Sequence, residues 1–194
     1  MAAVLDAAMT LFAARGPASV SVRDIAAAAG VNHALVHRHF GSKQAVLRAV
    51  LERAAHELAA VAATITDSQG GIAQLFAASA RRATYWRALA RAILDGENPR
   101  MLQRAFPTVH RMIELLQTER RQPRKRSDTH SSPPPLDARV VVGTTSALTL
   151  GWLLFEPLLL AATGLDQHNR EEVQQQVVLM LQTMIARAQP CGGV

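Results

Sequence analysis

Residues 21–43, SVRDIAAAAGVNHALVHRHFGSK, confine this chain more tightly than any other stretch. Ser21, followed at the third position by Asp24, is a capping-box pattern, with a hydroxyl at the N-cap and an acid at N3. A short helix is therefore expected from Val22, with Val22, Ile25, Ala26 and Ala29 marking its apolar face. Gly30 ends it, because glycine tolerates the left-handed backbone that a sharp turn needs. A third helix is expected from about Asn32 to Phe40, after which Gly41-Ser42 punctuates. Ser42 is then the N-cap of a long helix running to about Ala63. Ahead of all this, Val4, Leu5, Ala8, Leu11 and Phe12 recur at helical spacing until Gly16-Pro17 stops the first helix. Two short helices joined by a glycine-containing turn of about four residues make a helix-turn-helix.

Placed on a wheel of about 100° per residue, the third helix turns Val36 and Phe40 the same way, towards the first two helices. Ala34, Leu35 and Arg38 point away, flanked by His33, His37 and His39. No acidic residue lies between Ala29 and Lys43. A DNA major groove asks for such a face: the first residues of a recognition helix approach base edges, and later ones meet phosphates. Lys43, at a helix start, also suits a phosphate, because exposed N–H groups and the positive dipole end lie there. His33 and His37, four apart, have a spacing that can hold zinc. That reading also needs a glutamate beside the first histidine, where this chain has Ala34, and a third ligand.

The rest of the chain reads as helix. Hydrophobic residues make up 49% of its 194 residues, enough for a sizeable core, and no alternating strand pattern or internal repeat is present. The net charge of +6 suggests an anionic partner, nucleic acid before a membrane surface. A single cysteine, Cys191, excludes a disulfide framework and a cysteine-based zinc site and fits a reducing cytoplasm. Asp6 and the absence of a basic region ahead of a clean apolar stretch argue against a signal peptide. Thr66 to Gly71 reads as a loop. Ile72, Leu75, Phe76, Ser79, Ala83, Trp86, Ala90 and Ile93 trace one fifth helix, broken by Asp95-Gly-Glu-Asn-Pro99. Arg100 to Gln122 is expected to be helical, with a kink at Pro107. Residues 121–135 form a basic, Pro/Ser-rich loop expected to be mobile. The run 140–162 is long enough to span a bilayer, but Glu156 and Pro157 interrupt it. A helix buried on nearly all sides, in a core or a subunit interface, is the expectation, with Glu156 pairing a cation or sitting at the interface rim. Val173, Val177, Met180, Leu181 and Met184 define a last amphipathic helix.

Residues 4–50, and in particular SVRDIAAAAGVNHALVHRHFGSKQAVLRAV, resemble the DNA-binding domain of the TetR family of dimeric transcriptional repressors. A hydroxyl residue opens the second helix, Gly-Val forms the turn, a Tyr-x-x-Phe-like pattern closes the third helix, and Ser-Lys opens the fourth. The resemblance implies that Ser21 and Val22 lie at the DNA backbone and that Arg23 reaches a base or phosphate. It implies that His33, Ala34 and Leu35 face base edges, and that His39 and Lys43 hold phosphates, with Arg38 on the same surface. His37 stands where the family usually has a phosphate-binding tyrosine, and Leu35 where a hydroxyl residue is common. Leu35 is read as a contact to a thymine methyl. The chain starts at the first helix, without the basic arm that many members carry ahead of it.

By the same resemblance the fold is all-α, with a three-helix helix-turn-helix domain over residues 1–47 and an effector-binding and dimerisation domain over 48–194. Phe76, Tyr85, Trp86, Met101, Phe106, His110 and Met112 fall on the middle helices, where the family places its ligand cavity. Read from the residues, a stripe of large apolar side chains is more often core than pocket, and His110 reads as a partly buried core histidine. The helices 136–162 and 170–188 are expected to build a four-helix interface with a second copy. The implied function is a cytoplasmic, ligand-responsive regulator, a repressor that binds a near-palindromic duplex operator as a dimer and is released by a small molecule. No enzyme, cofactor, metal or membrane partner is expected, since no Gly-rich phosphate loop, nucleophile elbow or paired-carboxylate pattern occurs. The alternative is a helical small-molecule binding protein without DNA recognition.

Overall fold

A computed structural model describes residues 1–103, 105–121 and 136–188; the expected basic loop at 122–135 and Cys191 lie outside them. Regular structure among the described residues is entirely helical, and it divides into two compact units.

The first unit comprises residues 1–58 and 81–106. It holds α1 (Ala2–Arg15), α2 (Val22–Ala28), α3 (His33–Phe40), most of α4 (Lys43–Ala63), α6 (Ala83–Leu94) and the short α7 (Pro99–Leu102). Phe12, Ile25, Val36, Val46, Val50 and Leu51 are completely buried, so one apolar side chain or more from each of the first four helices closes a common core. Burying a side chain of that size contributes about 1.5–3 kcal/mol before entropy is charged against it. α6 lies on α1. Ala8 of α1 and Ala88 and Ala92 of α6 are also completely buried, and methyl-sized side chains let two helix backbones approach closely.

The second unit comprises residues 59–80 and 107–188 of the described chain, with α5 (Ser68–Ala80), α8 (Pro107–Arg121), α9 (Ala138–Thr163), a 3₁₀ turn (Leu165–Gln167) and α10 (Arg170–Ala188). Its core joins Ala62, Ile65, Ile72, Phe76, Met112, Leu116, Val141, Val142, Leu181 and Ile185. Gly71 is required by closeness here: a Cβ on it would lie 2.6 Å from Ile65 Cγ2 and 3.1 Å from Met112 Sδ. Glu119 of α8 reaches back to Ser68, accepting from its backbone N–H at 2.7 Å and its hydroxyl at 2.6 Å, and so satisfies the start of α5 from another helix.

Several expectations need correction. The loop read over 66–71 is helical from Ser68, because Gly70 and Gly71 serve packing and not a turn. The single fifth helix is two, interrupted at Arg81-Arg82, with 68–80 buried in the second unit and 83–94 in the first. Pro107 does not kink a helix but starts α8. A proline at the first helical position gives up an N–H that has no partner there, and it pushes the preceding residue out of the helical region. His110 is exposed, not partly buried in the core. α9 is long and apolar enough to cross a membrane by length and composition, and it is not enclosed within the chain: Val140, Leu148, Phe155 and Leu158 are exposed. The grouping by packing also differs from a division at 47/48, which falls inside α4 and leaves out α6 and α7.

Candidate nucleic-acid interface

The start of α2 is held by a complete capping box. The Ser21 hydroxyl oxygen accepts from the Asp24 N–H at 3.1 Å, and Asp24 Oδ2 accepts from the Ser21 N–H and the Ser21 hydroxyl, both at 2.8 Å. The Ser21 backbone bond, then the hydroxyl bond, holds the Asp24 carboxyl below its ordinary range. The hydroxyl's one proton is thus committed to Asp24, leaving an oxygen that can accept from a ligand but not donate to one.

The turn closes by backbone geometry. Gly30 has φ +65°, its N–H donates to Ala27 O at 3.2 Å, and the Val31 N–H donates to Ala26 O at 3.0 Å, the paired bonds of a Schellman motif. Asn32 Oδ1 then caps α3 by accepting from the Ala34 N–H at 2.9 Å. On α3, Val36 is completely buried and Phe40 half-buried. His33, Ala34, Leu35, His37, Arg38 and His39 are exposed. The inward anchor and the outward cationic side therefore lie as the 3.6-residue period predicts.

Ser21, Val22 and Arg23 from α2 and His33, Ala34, His37 and Arg38 from α3 line one open cleft. No carboxylate is among its lining residues. Leu35, His39 and Lys43 are not among them either. The His39 ring sits T-shaped against Phe40 at a centroid distance of 4.7 Å, and Lys43 Nζ donates to Pro17 O at 2.6 Å.

Two supports of this surface were not foreseen. Asp95, at the end of α6, accepts from the Ala18 N–H at 2.9 Å, and Arg15 donates to Ser19 O at 3.1 Å. With Lys43 they fix residues 17–19, which lead directly into Ser21. Asp95 read as part of a helix-breaking run, and nothing local to it signals a partner 77 positions away.

The expected ligand-site residues are not gathered together. Phe76 and Met112 belong to the core of the second unit. Tyr85, Trp86, Met101 and Phe106 belong to the first. The Tyr85 hydroxyl donates to Gln103 Oε1 at 3.1 Å, and burial pushes this phenol up to about 12. The Trp86 ring packs T-shaped on Tyr85 at 4.5 Å. Met101 and Phe106 are exposed, as is His110 of the second unit. Glu156, buried within α9, accepts from Arg170 Nε at 3.1 Å, from a second Arg170 nitrogen, and from Gln174 Nε2 at 3.0 Å. Its cation thus comes from α10 of the same chain.

Comparison with known proteins bears on this surface. Residues 4–50 match the profile of bacterial regulatory proteins of the tetR family. The HTH-type transcriptional repressor Rv3405c of Mycobacterium tuberculosis is 40% identical over 176 residues, which cover 91% of this chain and 84% of that protein. The HTH-type transcriptional regulator Mb3439c of Mycobacterium bovis matches to the same extent, 40% over 91% and 84%. The fold resembles the crystal structure of SCO4942, a candidate transcriptional regulator from Streptomyces coelicolor, with TM-score 0.72 and 21% identity over 94% of this chain and 96% of that one. It also resembles SCO4454, a TetR-family regulator from the same organism, with TM-score 0.64 and 18% identity over 97% and 95%.

Proposed function

The chain belongs to the tetR family of bacterial transcriptional regulators, and from that premise we propose that it is a repressor, binding a near-palindromic operator as a homodimer and released by a small molecule. The observation that carries the DNA reading is the cleft between α2 and α3, which presents Arg23, His33, His37 and Arg38 and no carboxylate. Ala34 and Leu35 face base edges, His39 and Lys43 meet phosphates, and Ser21 and Val22 sit at the backbone. The repressor sense follows the relative that carries that name. Residues 1–47 read DNA, and 48–194 serve effector binding and dimerisation.

The exposed apolar side chains of α9 and α10, among them Val140, Leu148, Phe155, Leu158, Leu179 and Met180, support a self-complementary interface through 136–162 and 170–188. A two-fold axis there sets two copies of α3 about 34–36 Å apart, one turn of duplex. α4 has residues in both compact units, so a change in its course on ligand binding alters that spacing. Effective release requires the ligand to favour the non-binding form by about 5 kcal/mol. Phe76, Tyr85, Trp86, Met101, Phe106, His110 and Met112 are the proposed pocket residues, and the protein acts in the cytoplasm.

The test is selection of a duplex from random sequence by the full-length protein, followed by binding with Arg23→Ala and Arg38→Ala. The wild type should enrich a near-palindrome and lose affinity steeply as salt rises. Both variants should lose the specific complex while keeping their helical circular dichroism. No enriched sequence, or complexes unchanged in both variants, would overturn the reading.

A further inference from the structure

We infer that operator binding by this protein is proton-coupled: the cleft between α2 and α3 takes a backbone phosphate between Arg23 and Arg38, and His33 and His37, which share it, take up protons as the phosphate arrives. This inference rests on the operator-binding reading above.

The geometry carries it in three steps. First, four basic or titratable side chains, Arg23, His33, His37 and Arg38, line one open cleft together with Ser21, Val22 and Ala34. Second, neither imidazole has an anion to hold in the DNA-free protein. α2 packs against α3 and brings Arg23 and Asp24. Arg23 is a cation, and the Asp24 carboxylate is tied into its capping box by two bonds from Ser21. On α3 itself the other charged group is Arg38, with His39 turned onto Phe40. Of the nearby cations, Lys43 is held on Pro17 and Arg15 on Ser19. Third, both histidines are exposed, so a proton from solvent reaches them without opening the fold.

Imidazole is the side chain that changes charge near neutrality. A phosphodiester entering the cleft supplies the missing negative charge, so the protonated form is favoured in the complex over the free protein. Each imidazole then gains one proton from solvent as the duplex binds and returns it when the duplex leaves. By linkage, affinity must rise as pH falls, by up to about tenfold per pH unit for each proton taken up. A phenol at position 37, as the family usually has, would donate a hydrogen bond to phosphate at any pH near 7 without changing charge.

The experiment uses the full-length dimer and a duplex it has selected, with affinity measured by fluorescence anisotropy at pH 6, 7 and 8 and constant ionic strength. Titration calorimetry in two buffers of different ionisation heat counts the protons. The expected results are an affinity at least about tenfold higher at pH 6 than at pH 8 and a net uptake of protons at pH 7. His33→Asn with His37→Asn should flatten the pH response and reduce the uptake. His56→Asn, an exposed histidine on α4 outside the cleft, should keep both. A wild-type affinity that is flat from pH 6 to pH 8, or no proton uptake, would overturn the inference and leave the DNA reading standing. A response that survives the double variant, or that His39→Asn alone removes, overturns it too. Absence of any specific complex at every pH would instead sink the operator reading itself.

Discussion

Lys43 Nζ donates to the carbonyl oxygen of Pro17 at 2.6 Å, joining the first residue of α4 to the loop that precedes α2. The bond spans 26 positions of sequence. Asp95 holds Ala18 from the other side at 2.9 Å, so the approach to Ser21 is gripped between two helices. An ammonium group has three donors, and Pro17 uses one. Lys43 can therefore brace the loop and still present N–H groups to a phosphate.

Lys43→Ala should weaken operator binding by about tenfold and lower the slope of log affinity against log salt by about 0.9, the signature of one lost phosphate contact. Binding measured over a salt series checks it. A weaker complex with an unchanged slope would make Lys43 a brace only.

Glu156→Gln should destabilise the second unit by about 1–2 kcal/mol, less than a fully buried pair because Arg170 is 68% exposed. Hydrogen bonding from Arg170, then from Gln174, holds the Glu156 carboxyl below its ordinary range. A carboxyl lowered in the folded state stabilises fully above its unfolded pKa, and that contribution is lost as pH falls through the folded value. The difference between wild type and variant should therefore hold above about pH 5 and shrink below it. Urea unfolding at fixed protein concentration, repeated down the acid range, measures this. A difference that grows on acidification would contradict it.

Tyr85 is the chain's one tyrosine, so the ultraviolet absorbance of phenolate reports it without interference. Burial pushes it up to about 12, and the intact protein should keep it neutral until then. The unfolded chain ionises first, so stability should fall as pH rises above about 10. Tyr85→Phe should cost about 1 kcal/mol at neutral pH through the lost bond to Gln103 and flatten the alkaline decline. Ionisation of the folded protein near pH 10 would refute the burial argument.

Much of the DNA-facing surface was legible because its causes are local. The Ser21–Asp24 box, the left-handed Gly30 and the Asn32 cap act within four residues of themselves, and so does the period that turns Val36 inward. The same holds for the ends of α9 and α10, read closely from an apolar run closed by Gly164, whose backbone is left-handed. Helical period reports that a face is apolar without naming what covers it. Phe76 and Tyr85 were therefore assigned to one pocket, although one lies in each compact unit.

What the sequence determined by itself was the all-helical class, the helix-turn-helix and the side of α3 that stays in solvent, since each follows from torsional preferences and periodicity over a few residues. Tertiary structure alone decided that a helix breaks at Arg81-Arg82, where no glycine or proline demands it. It also decided that α6 lies on α1, that Asp95 meets Ala18, and that Glu119 caps α5 across 51 positions. Those choices depend on which surfaces far apart in the chain exclude water together, and no local pattern encodes that.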